Sequence, residues 1–75
     1  MEKLIEILNE IDDTIDYENE KKLIDARLIN SMAVVELVGE IEEEFDVEIT
    51  ASELKPENFN SVEAMMKMIT RLRGE

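Results

Sequence analysis

Val34, Leu37, Val38, Ile41 and Phe45 recur at i, i+3, i+4, i+7 and i+11. This spacing places five apolar side chains on one side of a helix and is incompatible with the two-residue alternation of a half-buried strand. Two further stripes have the same period. Leu4, Leu8, Ile11 and Ile15, with Ile7 on the flank, predict a helix over roughly 2–15. Val62, Met65, Met66, Ile69 and Leu72 predict a last helix, with Arg71 and Arg73 suited to its negative end and Gly74 closing it. With 4% aromatic residues, the core is left to Leu, Ile, Val and Met.

Between the stripes, Asn30 or Ser31 supplies the N-cap oxygen for the central helix. "DVEI" after Phe45 reads as an extended exit, and Thr50 with Glu53 forms a capping box for a short third helix ending near Pro56. Asn60 and Glu63 offer a second capping pair for the last helix. The connection from Asp16 to Asn30 is long for so small a domain, so it carries function or short helical turns of its own. Within it "LIDARLI" can pin the chain to the core through Leu23, Ile24, Leu28 and Ile29. The expected architecture is all-α: one domain over 1–75, a small four-helix bundle of three main helices and a short one. The long loop means that helices one and two need not be adjacent partners.

Composition narrows the function. Twenty acidic residues against eight basic ones give a net charge of −12, which repels phosphate backbones and anionic lipid and favours basic protein partners. There is no cysteine and no histidine, which removes disulfides, thiolate metal sites and the commonest general base. The calcium-loop spacing D-x-[DN]-x-[DN]-G is absent, so no specific metal site is expected. The opening "MEKLIEILNEI" is too acidic for a signal peptide, and no apolar run approaches the ~18 residues of a membrane span. A cytoplasmic monomer is expected, with neither nucleic acid nor membrane as partner.

The central helix carries a second face. Met32, Val35, Glu36, Gly39 and Glu43 also follow i, i+3, i+4, i+7, i+11, so two apolar side chains and a glycine stand among carboxylates outside the core stripe. That face is either the edge of a wide core stripe or a docking surface. Gly39 either admits the close approach of another backbone or is a tolerated glycine, at about 1 kcal/mol relative to Ala. The acids from Glu40 to Glu48, Glu42 among them, are either a solvated surface or a continuation of the docking face. Ser31 begins that face. It is either a cap alone or a serine that another protein modifies, because there is no histidine to activate it and no G-x-S-x-G elbow around it. A helix N-terminus suits an attached phosphodiester.

"LIDARLINSMAVVELVGEIEEEFDVEI", residues 23–49, resembles the signature region of acyl carrier proteins and related peptidyl and D-alanyl carriers, and the likeness extends more loosely over most of the chain. The matching elements are a D-S-L or D-S-M-like triplet opening the second helix, an E-L-V-x-x-I-E-E-E-F core and a short following I-T segment. The resemblance implies a four-helix carrier and a 4′-phosphopantetheine arm, donated by coenzyme A and attached by a phosphopantetheinyl transferase at Ser31. The arm's terminal thiol holds acyl or aminoacyl groups as thioesters. It also implies a docking helix, with Asn30, Met32, Val35, Glu36, Gly39, Glu42 and Glu43 facing basic patches of loading and processing enzymes. The chain departs from the usual pattern at Asn30, where aspartate is common, at Ala33, and at Gly39–Glu40.

The expected function is a stand-alone acyl carrier of fatty-acid, polyketide or related biosynthesis, acting as a cosubstrate and not as an enzyme. The alternatives are a D-alanyl or aminoacyl carrier, and an acidic adaptor that keeps the fold without the arm.

Overall fold

A computed structural model describes residues 2–74. The helices are α1 (Glu2–Ile11), α2 (Ser31–Phe45), α3 (Pro56–Phe59) and α4 (Val62–Leu72), with a single 3₁₀ turn at Ala51–Glu53 before α3. The described residues contain no strand. The fold is the expected all-helical bundle, in which α1 packs on α2 and α4, and α3 on α4.

The three stripes meet in one core. Leu4 and Leu8 of α1, Leu37 and Ile41 of α2, and Met65 and Ile69 of α4 have no exposed surface. Val34, Val38 and Phe45 complete the α2 stripe at its margin, half-buried against the same cluster. On α4, Met68 is buried where the stripe named Met66, which lies at the edge with Leu72. Although the loop between them is long, α1 and α2 are direct neighbours, because their stripes bury each other's apolar surface.

α1 stops at Ile11, four residues short of the predicted end. Asp12 Oδ1 accepts from the Thr14 N–H at 2.9 Å, which turns the backbone out of the helix. Tyr17 sits behind that turn, buried, its hydroxyl shared between the carbonyls of Leu8 (3.0 Å) and Asp12 (2.6 Å). Ile15 still packs on the core, but from the loop.

The capping pattern differs from expectation after α2. Asp46 ends that helix in the left-handed region (φ 54°), where a short polar side chain is tolerated. Thr50 makes no cap bond; its hydroxyl pairs with that of Ser52. Glu53 turns to Arg71, whose two guanidinium nitrogens donate to its two carboxylate oxygens at 2.6 and 2.9 Å. Pro56 starts α3 at its first position instead of ending a turn, since its missing N–H has no intrahelical role there. Ser61, not Asn60, caps α4, its Oγ accepting from the Ala64 N–H at 3.0 Å.

Asn60 is thereby free to hold the long loop. Its Oδ1 accepts from the N–H groups of Ile24 and Asp25, both at 3.0 Å, its Nδ2 donates to the Asp25 carboxylate at 3.0 Å, and its carbonyl accepts from Leu23 N–H at 2.9 Å. Leu23 and Ile29 are buried and Ile24 half-buried, as the pinning role requires, whereas Leu28 remains 41% exposed.

Candidate functional site

Asn30 has extended backbone (φ −87°, ψ 176°) and its Oδ1 accepts from the Ala33 N–H at 2.9 Å. Of the two candidate caps, Asn30 therefore holds the position, and Ser31 is the first helical residue. That division leaves the serine available. Ser31 is exposed, and among the described residues nothing hydrogen-bonds its hydroxyl. The N–H groups of Ser31 and Met32, in the first turn, have no intrahelical acceptor, and the positive end of the helix dipole lies there. No acidic residue occupies the first turn of α2, so this end of a strongly acidic chain carries no carboxylate of its own.

Ser31 borders an open depression of about 320 Å³ lined by Ile24, Arg27, Ile29, Asn30 and Val34. Ile24 and Val34 continue into a second depression of about 230 Å³ with Leu54, Lys55, Pro56 and Phe59. The Asn60 bonds to Ile24 and Asp25 set the loop side of this surface, although Asn60 is remote from Ser31 in sequence. An exposed hydroxyl at a carboxylate-free helix N-terminus, beside an open surface, fits attachment of a phosphodiester-linked arm.

The predicted second face of α2 is present. Met32 is 80% and Val35 73% exposed, and Glu36, Gly39 and Glu43 are exposed along the same side. Met32 and Val35 thus lie outside the core stripe, not at its edge. A Cβ built on Gly39 would meet nothing within 4 Å, so no internal close approach explains that glycine.

Glu42 departs from the expected face. It is half-buried, and its Oε2 accepts from the Ile49 N–H at 2.8 Å, tying the helix to the chain that leaves it. The acid run is therefore not one surface. Glu40, Glu43 and Glu44 border an open groove against α1, where Lys3 pairs with Glu44 at 3.2 Å and Glu6 at 3.9 Å. Among the described residues no group of three or more acidic side chains is arranged to hold a metal ion. Among the described residues no helix is long and apolar enough to cross a membrane.

Arg27 and Asn60 were not legible as parts of this site. Arg27 read only as a residue inside "LIDARLI", and Asn60 as a local cap. A left-handed backbone at a non-glycine residue and a hydrogen bond across 36 positions leave no periodic trace in the sequence.

Comparison with known proteins gives the same region a family. The profile described as "Phosphopantetheine attachment site" matches residues 2–69. The chain is 44% identical over 59 residues to aminoacyl carrier protein 2 of Bradyrhizobium diazoefficiens, covering 79% of this chain and 65% of that relative. It is 34% identical over 74 residues to the D-alanyl carrier proteins of Streptococcus gordonii and Streptococcus thermophilus, covering 96% of this chain and 92% of theirs. The match to the Bradyrhizobium protein thus spans less than two thirds of that relative's length. No solved structure gives a significant match.

Proposed function

Since this chain belongs to the family of carrier proteins defined by a phosphopantetheine attachment site, we propose that it carries an amino acid as a thioester on an arm at Ser31 and presents it to partner enzymes as a cosubstrate. The prosthetic group of the family, 4′-phosphopantetheine, supplies the thiol that a chain without cysteine lacks. The observation that carries the assignment to Ser31 is its exposed hydroxyl at the first position of α2, left unbonded because Asn30 takes the cap.

In the modification, the Ser31 Oγ attacks the coenzyme A phosphorus nearest the pantetheine. The Oγ–P bond forms, the phosphoanhydride bond breaks, adenosine bisphosphate leaves, and the hydroxyl proton passes to a base of the transferase. Asn30, bonded to the Ala33 N–H, holds α2's end in place for that attack, the unbonded first-turn N–H groups favour the incoming phosphate, and the absence of a carboxylate in that turn spares it a repulsion. Met32, Val35, Glu36, Gly39 and Glu43 form the docking face, with apolar contact at its start and charges that steer a basic partner. Tethering raises the effective concentration of the cargo at a docked active site to roughly millimolar.

An amino acid is favoured over a fatty acyl group as cargo because the relatives described above are named as aminoacyl and D-alanyl carriers. The test is intact mass after incubation with coenzyme A, magnesium and a broad-specificity transferase. A gain of one phosphopantetheine, abolished by Ser31→Ala, is expected. A gain that survives Ser31→Ala refutes the site, and a gain seen only after Asn30→Asp supports the unmodified adaptor. Supplying the modified chain with ATP and either a D-alanine-activating or a fatty-acid-activating ligase then tests the cargo; loading with the fatty acid alone refutes the aminoacyl reading.

A further inference from the structure

Residues 22–28 form a helical turn closed by two bonds, Leu28 N–H to Leu23 O at 2.9 Å and Arg27 N–H to Ile24 O at 2.9 Å. This pair is the Schellman arrangement, and its left-handed position is held by Arg27 at φ 59°. Glycine occupies such a position at least cost, and a residue with a Cβ is strained there. The chain nevertheless carries a long cation at this corner. Arg27 is exposed, forms no ion pair among the described residues, and is the cation among the residues lining the depression that contains Ser31. Each of these features is local to one surface, and the molecule around it has a net charge of −12.

We propose that Arg27 is a phosphate-binding residue of the carrier: its guanidinium receives the phosphodiester that links the arm to Ser31. The inference rests on the assignment of the arm to Ser31. An arm attached there adds one negative charge to an already acidic chain, and the first-turn N–H groups of α2 answer it from one side only. Arg27 answers it from the loop side, across the shared depression. A guanidinium suits the task because it offers several donors in a plane to phosphate oxygens and remains charged at any pH the chain meets. The corner's left-handed geometry turns the chain so that residue 27 borders the depression while Leu23 and Ile29 stay buried.

The test compares the full chain, Arg27→Gln and Arg27→Lys, each melted before and after transfer of the arm, with intact mass establishing that all three are fully modified at Ser31. Differencing the modified and unmodified forms of each variant removes the cost of the strained corner, which is common to both. The expected result is that installing the arm changes Tm more favourably in the wild type than in Arg27→Gln by about 2 °C at low salt. That difference should shrink at about 0.5 M salt, and Arg27→Lys should retain part of it. The phosphorus NMR resonance of the phosphodiester is expected to move in Arg27→Gln. Equal Tm changes in wild type and Arg27→Gln, with an unmoved resonance and correct masses, overturn the role of Arg27 alone. Absence of the mass gain at Ser31 overturns this role and the attachment site together.

Discussion

Replacing Asn60 with alanine removes the side chain that holds the long loop against α4. Three bonds are lost: those from the Ile24 and Asp25 N–H groups to Oδ1 and that from Nδ2 to the Asp25 carboxylate, each 3.0 Å long. The Ile24 N–H is partly buried and loses its partner without full access to water, at about 1–2 kcal/mol; the two bonds at Asp25 are exposed and contribute about 0.5 kcal/mol or less each. The expected destabilisation is therefore about 2 kcal/mol, or a fall in Tm of about 8–16 °C for a domain this size. Leu23 N–H keeps its bond to the Asn60 carbonyl, so the loop loosens locally and does not detach. Asn60→Asp separates the two contributions. It retains both acceptor bonds but sets a second carboxylate beside that of Asp25, which costs about 1 kcal/mol at neutral pH and is relieved on acidification. Thermal denaturation with amide hydrogen exchange resolved at Ile24 and Asp25 provides the assay. Faster exchange at those two amides, beyond the global change, is expected in the alanine variant. A Tm within about 2 °C of wild type, with unchanged exchange at both amides, would refute the latch.

Three further outcomes are expected. Gly39→Ala raises stability by about 1 kcal/mol, since the added Cβ meets open space, while slowing loading by any enzyme whose backbone approaches that spot; unchanged or lowered Tm counts against the first half, and undiminished loading against the second. Burial, then the neighbouring carboxylates of Asp12 and Asp13, pushes the Tyr17 hydroxyl up to about 12, so the folded chain keeps a proton that the unfolded chain releases from about pH 10; stability should fall between those values by at most about 3 kcal/mol, and Tyr17→Phe should flatten that limb in alkaline melts. The Arg71 guanidinium holds the Glu53 carboxyl below its ordinary value, so the pairing stabilises the fold above the usual glutamate range and is lost as pH falls through the lowered value; acid melts of Arg71→Gln should lack this component, and coincident acid limbs would count against it.

How far the sequence could be read depended on the range of each interaction. α2 and α4 were legible because one buried face imposes a local period, and Leu37, Ile41, Met65 and Ile69 lie where that period puts them. α1 was legible in kind but not in length, because Ile15 keeps the period while Asp12 and Tyr17 turn the chain away after Ile11. The second, exposed face of α2 was legible at Met32 and Val35, which the core does not claim, but not at Glu42, whose carboxylate is used by a backbone N–H seven residues on.

The sequence by itself determined a helical carrier with Ser31 at the head of its central helix, since helix period, composition and the pattern around that serine are properties of neighbouring residues. Tertiary structure decided that Asn30 takes the cap and leaves the Ser31 hydroxyl unbonded, that Asn60 leaves its own helix to Ser61 and holds the loop, and that Arg27 stands at a left-handed corner beside Ser31. Each of these choices has a locally acceptable rival, Ser31 or Asn60 as caps and glycine at the corner. The bonds from Leu23, Ile24 and Asp25 to Asn60, with the burial of Leu23 and Ile29 in the core, fix the loop that carries residues 27 and 30, and a short window of sequence contains no record of contacts across that distance.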